Sequence, residues 1–415
     1  MYDVLIVGAG ASGVMLASIL REKNKSIKIL ILEKNDKICK KLSITGNGRC
    51  NLGNTLFDYS FYNTNEISKF DKYFENIKKS NLNDMLNADI TKNNYIEYLK
   101  KIGIFIKDEE GLLYPYNNQA ISVCKAFEKY ILKNNIDLIY NYNVNSILKQ
   151  KDYYLVNNDK KAKAVVIATG GLSYPKTGST GEGYKILKSF GHNIIKPTPS
   201  LVKLKTNYKY LKDIKGVRID SNLSLILNDK IINKEKGQVQ FTDEFISGIC
   251  VFNLSRNIKK YLSSNNKVQI SLNFVFKYTI DEIKNKMKEF SNYSVLDFLS
   301  LLVNNKIALV ICKMNNVINK KICDINDKQK NEIINLLFDF KFDIIDTAGF
   351  NYAQVTNGGV SLKELNYNLE SKYEDNIYAV GEVIDVDGLC GGYNLIWAFT
   401  SSLIASDGIL KKIAC

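Results

Sequence analysis

Histidine is almost missing from this sequence. His192 is the single one in 415 residues, Trp397 is the single tryptophan, and there are four prolines. A metal site built from several imidazoles is therefore excluded. A lone histidine is more often structural than catalytic, so proton transfer falls to Tyr, Lys, Cys, Asp or water. The eight cysteines form no C-x-x-C. Their close pairs, Cys39/Cys50 and Cys312/Cys323, lack both zinc-ribbon and redox-dithiol spacing. Arginine is scarce too: Arg21, Arg49, Arg218 and Arg256 are the only four among 57 basic residues. The net charge of +14 is thus carried by lysines spread along the chain beside many Asn and Ile. Nucleic-acid readers cluster their charge and favour Arg, so a nucleic-acid partner is not the expectation. Long lipid-compatible runs are absent as well. Residues 4–20 are uncharged, but Asp3 precedes them, no Lys or Arg leads them, and glycines interrupt them. The uncharged run from Gly388 to Ser406 is dense in Gly, Asn, Thr and Ser. Neither reads as a signal peptide or a membrane span, and a soluble cytoplasmic protein with reduced thiols is expected.

What remains is an ordinary globular mix, 45% hydrophobic and 24% charged, with length for two or three domains. The opening reads strand (Val4 to Val7), turn, helix (Ser12 to Glu22), strand (Ile27 to Leu32). Residues 62–101 look mostly helical. Ser122 to Asn134 reads as a helix, Asp137 to Leu148 and Asp152 to Asn157 as short strands, and Ala164 to Ala168 as a buried strand. From Lys196 the text changes to alternating segments such as Leu223 to Leu227, then a strand at Val268 to Phe276. Three or four helical segments follow between Thr279 and Phe340. Short buried strands return at Asp343 to Asp346 and Ile377 to Val380, and a helix from about Asn394 to Leu410 closes the chain. This predicts an α/β protein whose Rossmann-like domain is split between residues 1–194 and 346–415. Residues 195–345 form an inserted region with a β part and a helical part.

Gly8-Ala9-Gly10-Ala11-Ser12-Gly13 is G-x-G-x-x-G between a strand and a helix, and Glu33 lies 20 residues after Gly13. Together these make the dinucleotide fingerprint. Gly8 allows the tight turn, Gly10 lets the pyrophosphate approach, and Gly13 lets helix and strand pack closely. The helix N-terminus favours the anion, and Glu33 can accept hydrogen bonds from ribose hydroxyls. The fingerprint alone does not separate FAD from NAD. Two later elements do, because they resemble two-dinucleotide flavoproteins: the A-T-G turn Ala168-Thr169-Gly170 after a strand, and Gly381-Glu382 after Ile377 to Val380. FAD is the expected cofactor. A second G-x-G-x-x-G is absent, so NAD(P)H would dock only transiently, as an electron donor at the flavin face.

Four further stretches carry a specific resemblance. They are Lys40 to Asn51 (KKLSITGNGRCN), Ala168 to Gly183 with Phe190-Gly191-His192, Phe241-Thr242-Asp243 with Ile246-Ser247-Gly248, and Val355 to Phe399 with VTNGGV, GEVIDVDGLCGGYN and WAF. In these the sequence is similar to the BaiN/YhiN-type flavoproteins, often described as NAD(P)/FAD-dependent oxidoreductases or aminoacetone oxidase family FAD-binding enzymes. The resemblance implies a Rossmann-like FAD domain, an inserted β-barrel-like part and a helical part. It implies that the loop Thr45, Gly46, Asn47, Gly48, Arg49, Cys50 and Asn51, and the segment holding Asp387, Gly392, Tyr393 and Asn394, flank the flavin ring. Lys34, Lys41 and Val144 complete the expected cofactor-binding set. No metal is expected, and no catalytic residue is assigned.

The chain departs from the family pattern in places. Asn47 replaces the middle Gly of G-G-G, and Asn is the best substitute at positive φ. Asp243 stands where many relatives carry His. Residues 402–406 lack a Gly pair, a packing variation. Arg49 is open between an anionic ligand and a structural ion pair, Glu382 and Asp387 between ribityl binding and loop ordering. Tyr174, Tyr393 and Trp397 are open between the substrate face and the core, and spacing does not support a Cys50–Cys390 redox pair. The expected activity is FAD-dependent oxidoreduction of a small organic substrate. An RNA-modifying flavoprotein and a non-catalytic flavin sensor are the alternatives.

Overall fold

The computed structural model describes residues 1–64 and 94–413. Most of the helical stretch expected over 62–101 lies outside them; its described end is the helix Asn94–Lys101. The chain divides into two compact units, Met1–Thr198 with Gln354–Cys415, and Pro199–Ala353.

The first unit is organised by a sheet whose central strands are short apolar runs. Tyr2–Val7 pairs in parallel with Ile29–Leu32 on one side and with Lys160–Ile167 on the other. Ile29–Leu32 also pairs with Asp137–Ile139. Strands buried on both faces need apolar residues at every position, and Ile29–Leu32 is buried at all four. Lys160–Ile167 changes character along its length. Its first half alternates in burial and pairs antiparallel with Tyr154–Val156, while its apolar second half pairs in parallel with Ile377–Ala379. The parallel strands therefore end at one edge, followed by Gly8, Glu33, Ala168 and, one residue further on, Gly381. Ligands of open α/β sheets bind at the carboxyl ends of the strands.

The helix Ala11–Lys23 follows the first strand and is buried over most of its length. The last helix, Tyr393–Ile413, lies against it. Ser402 Oγ donates to Ser12 O at 2.8 Å, and also to Ala398 O one turn back in its own helix. Buried serines thus serve the close approach where a Gly pair was missed in the sequence.

The second unit contains a closed barrel. Around it run Leu204–Thr206, Phe245–Ser247, Lys230–Phe241, Arg218–Leu227, Val268–Asn273 and Phe340–Thr347, the last closing on the first. Phe241, Phe340 and Phe342 pack inside the unit's core. Helices Ile280–Glu289, Val295–Ser300, Asn305–Asn315 and Asp327–Phe338 follow the fifth strand. Two begin with capping boxes, Thr279 with Glu282 and Asn326 with Gln329, which satisfy otherwise orphaned N–H groups.

One expectation is corrected here. Asp343 to Asp346 does not begin the return to the dinucleotide sheet; it belongs to the strand that closes the barrel. Phe340, Phe342 and Ile344 face in, Lys341 and Asp343 face out, the alternation of an antiparallel strand with one buried face. The units accordingly meet at 198/199 and 353/354, against the sequence reading of 194/195 and 345/346.

Candidate functional site

The turn after the first strand is shaped by what its glycines exclude. A Cβ on Gly13 would stand 2.0 Å from Gly8 O, and one on Gly8, at φ +105°, would stand 2.7 Å from Ala168 O. Gly10 is different: among the described residues nothing lies within 4 Å of where its Cβ would be. The helix beginning at Ala11 has no side-chain cap and no acidic residue in its first turn. Its leading N–H groups therefore have no side-chain cap, and its positive dipole end has no acidic residue of the first turn beside it.

Glu33 is buried and ties the turn down. One carboxylate oxygen accepts from Ala9 N at 2.8 Å; the other accepts from Asn35 N at 2.8 Å and Asn35 Nδ2 at 2.6 Å. That anchoring role was invisible in the sequence, although Ala9 and Glu33 both lie in the fingerprint. Lys34 turns elsewhere, pairing with Glu182 at 2.8 Å.

Several expected residues converge. A Cβ on Gly381 would lie 2.6 Å from Ser12 Oγ, and one on Gly170 would lie 3.7 Å from Glu382 Oε2 and 3.9 Å from Lys41 Nζ. Lys41 and Glu382 form an ion pair at 2.7 Å, and the other oxygen of Glu382 accepts from Thr356 N at 2.8 Å. Glu382 thus orders loops. Gly381 is gripped from the last helix: its N–H donates to Ser401 Oγ at 2.9 Å, and its carbonyl accepts from Trp397 Nε1 at 3.1 Å. Trp397 is a buried clamp, a role the sequence left open.

The loop Thr45 to Asn51 meets the glycine turn before the last helix. Gly46, Asn47 and Gly48 take φ of 56°, 54° and 84°, so Asn47 adopts the left-handed backbone expected of it. A Cβ on Gly392 would stand 2.8 Å from Asn51 Oδ1, and Asn54 Nδ2 donates to Gly391 O at 3.2 Å. Asn394 binds back to Gly388 through both ends of its amide. Asp387 is buried and accepts from Asn357 Nδ2 at 2.8 Å and Asn63 Nδ2 at 3.1 Å. Tyr393 packs on Phe61, and its hydroxyl donates to Leu56 O at 3.0 Å.

Other expected residues stand apart. Arg49 pairs with Glu109, bonds to Asn118 at 2.9 Å and lies over the Tyr114 ring. Hydrogen bonds from Lys107 and Arg49 hold the Glu109 carboxyl down at about 2. Val144 is buried in the core, two residues after Tyr142, whose N–H donates to Glu33 O. Cys50 is buried, and burial pushes its thiol up to about 12, so it is protonated at neutral pH. The seven described cysteines are free, with no Cys50–Cys390 disulfide. His192 bridges Ser371 at 2.8 Å and Glu364 at 3.2 Å, a structural post. In the second unit Asp243 is exposed and pairs with Lys215 at 2.8 Å.

The family described as HI0933-like protein Rossmann domain matches residues 2–408. The chain belongs to this family. Relatives of this HI0933-like chain include a 3-dehydro-bile acid delta(4,6)-reductase of Clostridium scindens, 29% identical over 99% of this chain and 100% of the relative. Ribosomal RNA dihydrouridine synthases of Haemophilus influenzae and Escherichia coli are 26% and 25% identical, each covering 98% of the relative and 98% and 99% of this chain. This HI0933-like protein carries a Rossmann-type domain.

FAD fits the residues present. The open space at Gly10 and the uncapped helix start suit a pyrophosphate, and the left-handed loop at Gly46 to Gly48 leaves backbone unobstructed at Gly48, where none of the described residues lies within 4 Å of a Cβ position. Among the described residues no helix is long and apolar enough to cross a membrane.

Proposed function

We propose that this protein reduces a carbon–carbon double bond conjugated to a carbonyl group in a small organic substrate, with NAD(P)H docking transiently as reductant. One observation carries the reading. The chain aligns end to end with relatives whose names describe that class of reduction on unlike substrates: a delta(4,6)-reductase of a 3-dehydro bile acid and synthases of dihydrouridine. The common element is the bond reduced, so the chemistry is carried over here and the substrate is not.

FAD, when bound, supplies the hydride. The chain's own residues do the rest. Gly8, Gly10, Ala11, Ser12 and Gly13 would seat the pyrophosphate, with Glu33 fixing the turn. Lys41, Thr169, Gly170 and Glu382 would border the middle of the cofactor, and Gly46 to Gly48 and Asn51 with Gly392 to Asn394 its ring. The start of the 21-residue last helix would favour negative charge beside it.

A second reading, an RNA-modifying flavoprotein, is favoured by the full-length match to the ribosomal RNA dihydrouridine synthases and by the +14 charge. The free cysteines are in keeping with a cytoplasmic setting. The deciding experiment reduces the purified yellow protein anaerobically with NADH or NADPH, then mixes it with a panel of cyclic enones or with ribosomal RNA lacking dihydrouridine. Reoxidation of the flavin by an enone, with saturated product, supports the proposal. Reoxidation by RNA alone replaces it with the second reading, and a protein that binds no flavin removes both.

A further inference from the structure

Two cysteines outside the expected cofactor-binding set lie against each other. Cys39 follows the second strand of the dinucleotide sheet. Its N–H donates to Ala9 O in the glycine turn at 2.9 Å, and its carbonyl accepts from Ser43 N at 2.9 Å. Cys124 stands 85 positions later, among the buried residues of the helix Ala120–Lys133. Its Sγ donates to Cys39 O at 3.7 Å, and the two thiols are hydrogen-bonded to each other as well. A thiol has one hydrogen. Cys124 directs its own to the carbonyl, so the hydrogen between the two sulfurs is that of Cys39. Cys39 also holds φ of 58°, a left-handed backbone uncommon for a residue that has a Cβ. Such a residue persists where its surroundings over-determine it, and here its N–H and its carbonyl are both tied.

The pair is asymmetric. Cys124 keeps 6% of its surface and Cys39 1%, so a small molecule in solvent meets Cys124 first. The hydrogen bond from Cys39 pulls the Cys124 thiol below its ordinary value, against the effect of burial. The same hydrogen bond, with burial, pushes the Cys39 thiol well up. The thiolate is the attacking form. Cys124 is thus both the more reachable sulfur and the more reactive one, and Cys39 stands behind it in the place of a resolving thiol. Cys50, the neighbour in sequence, is differently placed: its thiol is bonded to Thr45, and burial pushes it up to about 12.

We propose that Cys39 and Cys124 are an oxidation site, forming a reversible disulfide with hydrogen peroxide that braces the helix Ala120–Lys133 against the backbone holding the glycine turn. The Cys124 sulfur attacks one peroxide oxygen and the O–O bond breaks. Cys124 becomes a sulfenic acid, and the other oxygen leaves as water with the Cys124 proton. The Cys39 sulfur then attacks the Cys124 sulfur; the S–S bond forms, the S–O bond breaks, and the hydroxide leaves as water with the Cys39 proton. Two thiols are oxidised and both peroxide oxygens are reduced to water. The full-length protein is treated with a few equivalents of hydrogen peroxide, unfolded in an alkylating agent, digested and mapped by mass spectrometry, with Cys39→Ser and Cys124→Ser alongside. The expected result is a linked peptide joining Cys39 to Cys124, removed by dithiothreitol. In Cys39→Ser a dimedone-trapped sulfenic acid should appear at Cys124, and in Cys124→Ser Cys39 should remain a thiol. Oxidised wild type should melt roughly 3 °C or more above the reduced form, because the bond closes a long loop. Free thiols at both positions once the exposed Cys323 is fully oxidised, a linkage through Cys50 instead, or a linkage that does not raise the melting temperature overturns the proposal. The wild-type map and melting curve decide it even if a variant does not fold, and neither depends on which substrate the protein reduces.

Discussion

Two glycines three residues apart do different work. Gly13 has no room for a methyl group, since the nearest atom is a backbone oxygen 2.0 Å away. Gly10 has room for one as far as the described residues go, which is what the proposed pyrophosphate seat needs. Gly13→Ala should lower stability by about 2 kcal/mol or more through overpacking, read as a fall in the urea midpoint of the flavin-free protein. Gly10→Ala should leave the unfolding free energy within about 0.5 kcal/mol of wild type yet weaken FAD binding at least about tenfold. Equal behaviour of the two variants would contradict the assignment. His192 gives a second test at this scale. Burial pushes its imidazole below the ordinary value, opposed by Glu364 beside it. The fold prefers the neutral ring, so the unfolded chain takes up the proton first as pH drops below about 6.5. The stabilisation is full above that value and is lost as pH falls through the lowered folded value. Melting curves from pH 7.5 to 5 should show the advantage of wild type over His192→Gln shrinking toward acid; an advantage that grows would refute the account.

At the scale of elements, the last helix acts as a clamp on the turn that carries Glu382. Ser401→Ala would strip the buried Gly381 N–H of its acceptor, and Trp397→Phe would strip the Gly381 carbonyl of its donor. Each should cost about 1–3 kcal/mol in urea unfolding and speed flavin release from the holoprotein. Neither contact was legible in the sequence, because each joins residues 16 to 20 positions apart across a strand end, a turn and a helix start. The dinucleotide turn was legible because its chemistry is local: glycine spacing, a strand before, a helix after, an acid at the next strand end. The strand at 343–346 was misplaced because a short apolar alternation looks the same in either sheet. Asn357 left a faint signal of its hold on Asp387, a lone carboxamide in a strand otherwise Val, Thr and Gly, but that partner lies thirty residues on.

At the scale of the whole molecule, the two units differ in how they draw on the chain. Residues 199–353 hold all six barrel strands, the helices between the fifth and the sixth, and a separate hydrophobic core. A fragment of these residues should therefore melt cooperatively by itself. A broad transition without a baseline in circular dichroism would show that the barrel depends on the rest of the chain.

The other unit cannot be finished early. Its central strand takes a neighbour from Ile377–Ala379, and its first helix takes a neighbour from Tyr393–Ile413. During synthesis, therefore, the barrel can close on the emerging chain while the dinucleotide sheet still waits for its final segment. At roughly 5–20 residues per second, the amino-terminal glycine turn would spend many seconds outside the ribosome before its carboxy-terminal neighbours arrive, and flavin loading becomes one of the last events in the protein's assembly.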